Sequence, residues 1–185
     1  SDLAAGIYGI SYLDNTYRLV LRSGSVGTTP TVLRVVPEIA NLKIDNRLMS
    51  SSISFDSAYF YGAPHSDYRT VIGEIPANRA EFVTKGDIPN PALLLAQHFS
   101  DRLIQNDVAV RDLPTDSIDR ASERTTIYTH DSPPLSEIIT ETNVRSNNLY
   151  AECVFKYLAL QNKAVATNAE AVLVIKAFWK SKGLS

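Results

Sequence analysis

Hydrophobic and polar residues alternate over most of the first 90 residues, and this alternation predicts β-strands. In residues 16–22, Tyr17, Leu19 and Leu21 fall on one side of an extended chain, as in a strand with one buried face. Residues 6–13 precede this run across Asp14 and Asn15, and two such runs around an Asx pair predict a β-hairpin. Further strands are predicted at residues 31–36, 53–61, 68–75 and 80–84. We therefore expect an antiparallel sheet with one solvated face.

After residue 90 the period becomes that of a helix. Asn90 followed by Pro91 predicts a helix start, and apolar positions then recur over residues 91–105. Helices are also predicted at 135–143 and at 146–161, and a last one follows Thr167, with Glu170 completing a capping box. Short strands are predicted at 108–110 and 125–128, beside a polar linker over 112–124. The order of elements predicts an α+β chain with a β-rich domain at 1–111 and a mostly helical domain at 112–185.

Composition and charge exclude several classes of protein. The chain has 185 residues, with 18 Lys and Arg against 20 Asp and Glu, and its formal net charge is −2. These charges are scattered, so no nucleic-acid partner is predicted. No apolar run approaches the roughly 20 residues of a membrane span, so no transmembrane segment is predicted. The single cysteine, Cys153, rules out an internal disulfide and is expected to be a small buried side chain on a helix. No signal peptide is present at the start, which leaves the compartment open.

Few residues have the spacing that catalysis or metal binding requires. The chain contains neither a Gly-rich phosphate loop nor a nucleophile elbow. Its three histidines are far apart, so we predict neither a metal site nor a cofactor. His98 is expected to be a packed, hydrogen-bonded residue at the edge of the core. His130, Asp131 and Ser132 are adjacent and cannot easily converge as a triad, so they are interpreted as a turn before a helix.

The triplet Ser146-Asn147-Asn148 carries the functional hypothesis through its flanking residues. Alone it is expected about once by chance in a chain of this composition, and Ser146 would be interpreted as a helix N-cap. Its surroundings are much more specific. They resemble the DacB-like type-4 D-alanyl-D-alanine carboxypeptidases, which are low-molecular-mass penicillin-binding proteins. The residues that carry this resemblance are His130, Ser132, Pro133, Pro134, Leu135, Asn143, Ser146, Asn148, Leu149, Tyr150, Ala151 and Glu152.

The resemblance continues upstream, through the strand and loop at residues 72–76 and the helix start at 88–96. It is strongest over about residues 71–158 and loose over the first 70. It implies that residues 1–111 are a β-rich insertion domain and that 112–185 are a helical piece of a penicillin-binding, β-lactamase-like transpeptidase domain. The helical piece is thin for an independent core, which is consistent with a part of a larger layered domain.

The family's chemistry is acyl transfer on peptidoglycan stem peptides that end in D-Ala-D-Ala. An S-x-x-K motif supplies the nucleophilic serine and its lysine, and S-x-N and K-T-G motifs complete the site. The resemblance implies that Ser146 exchanges a proton with that lysine and the leaving amine. It implies that Asn148 binds the substrate amide and the same lysine. β-Lactams are implied as inhibitors of the intact enzyme, and the periplasm or cell envelope as its location.

Two departures from the family pattern limit what this chain is expected to do. None of its serines has a lysine three residues later, and the nearest sequence to K-T-G is Lys180-Ser181-Lys182-Gly183, on a predicted helix. In the family the first motif lies before the insertion and the third lies beyond a segment like this one. We therefore expect a fragment that has no carboxypeptidase activity and forms no covalent penicillin adduct.

A second hypothesis concerns the β-rich domain. In the first reading, residues 1–111 are a scaffold that shapes the substrate cleft. In the alternative, they are a non-catalytic binding module for peptidoglycan or a partner protein. The run Tyr59-Phe60-Tyr61 and nearby Tyr68 motivate the alternative, although aromatic residues on a sheet more often belong to the core.

Overall fold

In the part of the chain that the structure describes, six strands and four α-helices form a mixed α and β structure. A computed structural model describes residues 6–117, 123, 125, 126, 128–160 and 166–184. It divides into two compact units, Ser1–Arg120 and Ala121–Ser185. The strands are β1 (Thr16–Arg22), β2 (Thr31–Val36), β3 (Lys43–Ser51), β4 (Tyr59–Tyr61), β5 (Tyr68–Pro76) and β6 (Phe82–Asp87). The helices are α1 (Pro91–Ile104), α2 (Leu135–Arg145), α3 (Asn148–Leu160) and α4 (Asn168–Ser181).

The first unit contains two three-stranded sheets. One has the order β2-β1-β6 and is antiparallel throughout. The other has the order β3-β5-β4, in which β4 is antiparallel to β5 but β3 is parallel to it. The α+β class is confirmed, and the antiparallel arrangement holds for every pair except β3 with β5. Strand direction is not encoded in the period-two pattern, which is the same for both kinds of pairing.

The core of this unit lies on the inward positions of β1 and β5. Tyr17, Leu19 and Leu21 of β1 are fully buried, as the alternation predicts, and Val71 and Ile75 of β5 join the same cluster. Close packing leaves no room for a side chain at Gly86 of β6, because a Cβ there would collide with the ring of Tyr17.

Predictions for the first strands were partly right. Strands β1 and β2 have the predicted bounds, whereas the hairpin across Asp14 and Asn15 is wrong. Residues 13–15 instead form a tight left-handed turn, with φ between 52° and 54°. The buried Asn15 side chain holds this turn, because its amide donates to the Gly6 carbonyl at 3.0 Å and accepts from the Tyr12 N–H at 2.9 Å. Strand β1 therefore pairs with β2 and β6 rather than with residues 6–13.

The middle strands depart further from the prediction. Only Tyr59–Tyr61 of the predicted strand at 53–61 is extended in a sheet, and the preceding strand β3 was not predicted. Strand β3 has polar residues at inward positions, which hides its alternation. One of them is Asn46, whose side-chain amide donates to the Pro30 carbonyl at 2.7 Å. This hydrogen bond allows the polar side chain to occupy an inward position.

Later elements agree better. Strands β5 and β6 correspond to the predictions at 68–75 and 80–84, although β6 begins and ends later. The predicted strand at 108–110 is absent. Residues 125, 126 and 128 are not in a strand, and residue 127 lies outside the described residues, as does much of the predicted linker. Helix α1 begins at Pro91 as predicted, and the Asn90 side chain accepts from the Leu93 N–H at 3.1 Å.

His98 on α1 has the predicted structural role. It is half-buried, and its Nδ1 lies 2.9 Å from the hydroxyl of Tyr12. The two rings meet edge to face, with centroids 5.5 Å apart. This pair attaches the segment before β1 to the helix that follows β6.

The two sheets are joined by a buried ion pair. The side chain of Arg69 on β5 is fully buried, and that of Asp87 at the end of β6 is 20% exposed. Nε and Nη2 of Arg69 donate to the two carboxylate oxygens of Asp87 at 3.0 and 2.8 Å. Nη1 donates to the backbone carbonyls of Ala63 and Ser66 in the β4–β5 connection and of Tyr68 at the start of β5, at 2.7 to 3.3 Å. Every nitrogen of the guanidinium therefore has a partner.

Two tyrosines lie near this ion pair. Burial raises the pKa of the Tyr17 phenol, and the negative charge of Asp87 raises it further. The pKa of the Tyr8 phenol is also raised, mainly by burial and then by the negative charge of Asp87. The Tyr8 hydroxyl donates to the Pro89 carbonyl at 3.0 Å. Both phenols are thus neutral neighbours of the carboxylate, and its charge is balanced by Arg69.

The second unit contains α2, α3 and α4, and α3 contacts both of the others. Helix α4 is capped by Thr167, whose hydroxyl accepts from the Glu170 N–H at 3.2 Å, as predicted. The buried hydrophobic residues in the described part of this unit are Leu149, Ala159 and Ala171. Cys153 is half-buried on α3. No helix in the described ranges of the chain has both the length and the apolar character to cross a membrane.

We predict that Asp87→Asn lowers the free energy of unfolding of the first unit by about 3 kcal/mol, because it leaves a buried guanidinium without its counter-charge. Urea unfolding followed by near-ultraviolet circular dichroism of the tyrosines measures this. The matched control is Glu81→Gln, which breaks the 2.8 Å ion pair between Arg34 and Glu81 on the surface. It should have a far smaller effect, since both partners are exposed. Equal losses for the two variants would contradict the role given to the buried pair.

Candidate functional site

The triplet Ser146-Asn147-Asn148 lies at the junction of α2 and α3. Helix α2 ends at Arg145 and helix α3 begins at Asn148, so the junction is only two residues long. Ser146 is the C-cap of α2 in the left-handed region, with φ 51° and ψ 45°, and its N–H bonds to the Thr142 carbonyl. The interpretation of Ser146 as an N-cap is therefore wrong: it ends one helix instead of starting the next.

Asn147 is the residue that starts α3. Its Oδ1 accepts from the Tyr150 N–H at 3.1 Å, and its carbonyl accepts from the Ala151 N–H at the same distance. Its own N–H donates to the Thr142 carbonyl at 3.0 Å, so this residue is bonded to both helices. Asparagine and serine are equally good N-caps, which is why sequence alone did not separate the two positions. Asn147 thus fixes the junction and has its side-chain oxygen occupied.

Ser146 and Asn148 are both exposed on either side of that fixed residue. A hydroxyl and an amide each donate and accept hydrogen bonds without carrying charge. Ser146 lies at the C-terminal end of α2, where the helix dipole is negative, and Asn148 lies in the first turn of α3, where it is positive. The pair therefore offers a proton-exchanging group and an amide-binding group next to each other on a short, well-bonded turn.

The backbone of Ser146 is held in a conformation that favours glycine. Left-handed geometry brings Cβ close to the following carbonyl oxygen, so a C-cap of this kind is usually glycine or asparagine. A serine here lowers stability relative to glycine, and what it adds is the hydroxyl. A residue that breaks a local rule without a packing reason is a candidate functional residue.

An exposed ion pair lies in the last turns of α2, next to Ser146. Arg145 directly precedes Ser146, and its Nε lies 2.7 Å from a carboxylate oxygen of Glu141, one turn earlier. Both side chains are largely exposed, so the contact is screened by water. The described residues contain no group of three or more His, Cys, Asp or Glu side chains that could hold a metal ion. At the junction, the neutral hydrogen-bonding groups of Ser146 and Asn148 therefore lie beside an exposed ion pair.

The sequence model of the D-Ala-D-Ala carboxypeptidase 3 (S13) family matches residues 7–185. The match covers nearly the whole chain, and the chain belongs to this family. No curated protein matches the chain.

Two similar solved structures are of penicillin binding protein 4 (dacB) from Haemophilus influenzae. One, in complex with a novel β-lactam, is 16% identical and superposes with a TM-score of 0.60. The other is 14% identical, with a TM-score of 0.64. Both alignments cover 94% of this chain, which spans only 40% and 38% of those proteins. At this identity the likeness establishes the fold.

We predict that Ser146→Gly raises the free energy of unfolding of the second unit by about 1 kcal/mol, because glycine adopts the left-handed conformation without a Cβ clash. The only tryptophan, Trp179, lies in α4, so its fluorescence during urea unfolding reports this unit. Ser146→Ala is the matched control: it also removes the hydroxyl but keeps the Cβ, and it should bring no such gain. A glycine variant no more stable than the alanine variant would refute the strain at this position.

Proposed function

We propose that this chain supplies the second active-site motif of a serine D-Ala-D-Ala carboxypeptidase that acts on peptidoglycan stem peptides. The observation that carries the proposal is the conformation and exposure of Ser146 in a chain of the S13 family. This serine is exposed in a left-handed C-cap at the helix junction, beside the exposed Asn148. The conformation favours a glycine, and the hydroxyl is the feature that glycine cannot provide.

In the proposed reaction, a nucleophilic serine outside these residues attacks the carbonyl carbon of the penultimate D-Ala. The C–N bond to the terminal D-Ala breaks, and an acyl-enzyme ester forms. The departing amine takes up a proton, and water then hydrolyses the ester to regenerate the serine. Ser146 relays the proton between the lysine of the nucleophile motif and the leaving amine, which suits a hydroxyl because it donates and accepts at once.

Asn148 is proposed as the residue that binds substrate. Its amide would donate to a carbonyl of the stem peptide and accept from the same lysine, and being neutral it would leave the charge of that lysine unchanged. The fixed helix start at Asn147, one residue earlier, supports this role. Its bonds to Thr142, Tyr150 and Ala151 hold the backbone of the turn in one geometry.

We assign residues 112–185 to part of the catalytic domain and residues 1–111 to an insertion. The surface of α2, α3 and α4 supports the first assignment. Among the described residues of this unit few apolar side chains are buried, while Val144, Tyr157, Leu173 and Trp179 are 49% to 76% exposed. Exposed apolar helix faces on this scale are typical of elements that pack against a further layer.

The same assignment implies where the enzyme works and what inhibits it. Peptidoglycan stem peptides are in the cell envelope, so the periplasm or envelope is the proposed location. β-Lactams are proposed as covalent inhibitors of the whole enzyme, since they would acylate the serine that attacks D-Ala-D-Ala. One of the similar solved proteins is itself in complex with a β-lactam.

We predict that the purified 185-residue chain shows no covalent labelling by a fluorescent penicillin and releases no D-Ala from a stem-peptide substrate, because none of its serines is followed three residues later by a lysine. Gel fluorescence and a D-Ala release assay measure the two outcomes. Covalent labelling of this chain would overturn the proposed division of the active site.

In the whole enzyme, Ser146→Ala should lower kcat for D-Ala release by about 10²- to 10⁴-fold, the usual contribution of a positioned proton-transfer group. Ser136→Ala is the matched control, because it removes an exposed serine hydroxyl from α2, one helix length from the junction. It should leave kcat near the wild-type value. An unchanged kcat in Ser146→Ala would exclude the proposed proton relay.

A further inference from the structure

One face of the sheet β3-β5-β4 exposes three tyrosines. Tyr59 and Tyr61 on β4 and Tyr68 at the start of β5 are 57%, 56% and 51% exposed. Most large aromatic residues on a sheet are covered by a second layer, and the sequence favoured that interpretation here. The structure corrects it: of the run at residues 59–61, only Phe60 packs against the core. We call the surface formed by Tyr59, Tyr61 and Tyr68 the tyrosine face.

The strand register places these rings on one side of the sheet. Tyr59 is paired with Ile72 and Tyr61 with Thr70, and directly paired residues project to the same side. Tyr68 shares that side because it lies two residues before Thr70 on β5. The alternate residues, Phe60 and Val71, are paired with each other on the opposite, inward side.

Polar side chains on β3 continue the same surface. Across the parallel register, Lys43, Asp45 and Arg47 lie beside Tyr68, Thr70 and Ile72. Arg47 Nε donates to Asp45 at 2.7 Å, and the Thr70 hydroxyl lies 3.5 Å from the same carboxylate oxygen. Glu74, two residues beyond Ile72, is also exposed. The surface thus has two cations and two carboxylates, and its net charge is zero.

The tyrosine face is held in place from inside the sheet. Nη1 of the buried Arg69 donates to the carbonyls of Ala63, Ser66 and Tyr68, so it fixes the connection that runs from Tyr61 to Tyr68. A side chain at Gly62 would collide with that guanidinium. Because the rings project from a fixed backbone, binding a ligand there would cost little additional ordering.

We propose that the tyrosine face binds the uncharged glycan strand of peptidoglycan. A pyranose ring presents an apolar C–H face, which stacks on an aromatic ring, and polar edges, which accept or donate hydrogen bonds. The three tyrosines supply the rings, and Asp45, Arg47, Thr70 and Glu74 supply partners for hydroxyl and acetamido groups. The choice of this polymer rests on the proposed cell-wall function. The site itself is distinct from the chemistry proposed for Ser146.

Charge and polarity favour this ligand over other macromolecules. A phosphate polymer would require an excess of Lys and Arg, whereas the charges here balance. A protein partner usually requires a continuous apolar centre from which charged residues are depleted. On this face Arg47 and Asp45 lie directly beside Ile72 and Thr70, and the exposed Met49 lies beside Glu74, so charged side chains interrupt the apolar ones. A neutral polymer with many hydroxyl groups fits both observations.

The test is a calorimetric titration of the chain with soluble chitin oligosaccharides, which are uncharged strands of N-acetylglucosamine and carry neither a stem peptide nor a lactyl carboxylate. We expect measurable binding that changes little when salt is raised, because no net charge is involved. The double variant Tyr59→Ala/Tyr61→Ala should bind about tenfold or more weakly, the scale expected for losing a stacking ring. The double variant Tyr59→Phe/Tyr61→Phe, which keeps the rings, should retain most of the binding.

Tyr157→Ala is the matched control, since Tyr157 on α3 is equally exposed at 57% but lies in the other unit. It should bind like the wild type, and all variants should keep the wild-type circular dichroism spectrum. The proposal is overturned if the wild-type chain does not bind these strands. It is equally overturned if the folded double alanine variant binds them normally, or if binding disappears in high salt.

The probe contains no D-Ala-D-Ala, so its binding is independent of the proposed reaction. Glycan binding without D-Ala release by the whole enzyme would support the tyrosine face and contradict the carboxypeptidase proposal. D-Ala release without glycan binding would support the carboxypeptidase proposal and contradict the role of the tyrosine face.

Discussion

A buried arginine is the constraint on which the β-rich unit depends. Arg69 carries a full charge in the interior, and a buried charge is tolerated only when it is paired and hydrogen-bonded. Asp87 supplies the opposite charge from the other sheet, and three backbone carbonyls supply the remaining acceptors. One side chain therefore ties β5 to β6 and also orders the connection between β4 and β5. The exposed tyrosines at both ends of that connection owe their fixed positions to a group that is itself inaccessible to solvent.

A different constraint governs the helical unit. Its buried hydrophobic residues are few in the part that the structure describes, and hydrogen bonds hold the junction of α2 and α3. Asn147 bonds to both helices and leaves Ser146 in a left-handed conformation that favours glycine. Stability and the proposed function thus make opposite demands on neighbouring residues. Asn147 stabilises the turn, and Ser146 places an exposed hydroxyl on it at some cost in free energy.

The sequence predicted the elements whose local pattern and tertiary role agree. Strands β1 and β2 alternate clearly and lie where the alternation indicated, and α1 begins at its Asn-Pro signal. The sequence-based predictions failed where hydrogen bonds to distant segments take the place of apolar contacts. Strand β3 was missed because Asn46 occupies an inward position and is satisfied by a carbonyl from another segment. The hairpin prediction failed because Asn15 uses its side chain to hold a left-handed turn.

The candidate site was found through family resemblance rather than through pattern. Ser146-Asn147-Asn148 is too short to be significant alone, and either of its first two residues could have capped a helix. Which one does so depends on the hydrogen bonds at Thr142 and Tyr150, and these exist only in the folded junction. The exposure of Tyr59 and Tyr61 was likewise invisible in the sequence. The alternation separates these residues from Phe60, but it does not say which side of the sheet faces the core.

The most direct test of the functional account is a crystal structure of the whole enzyme acylated by a β-lactam. We expect Ser146 Oγ to lie about 3 Å from the lysine of the nucleophile motif and the Asn148 amide to donate to the β-lactam side-chain carbonyl at a similar distance. Ser146 should keep its positive φ in that complex. An acylated enzyme in which Ser146 and Asn148 both face away from the bound β-lactam and the lysine would contradict the account.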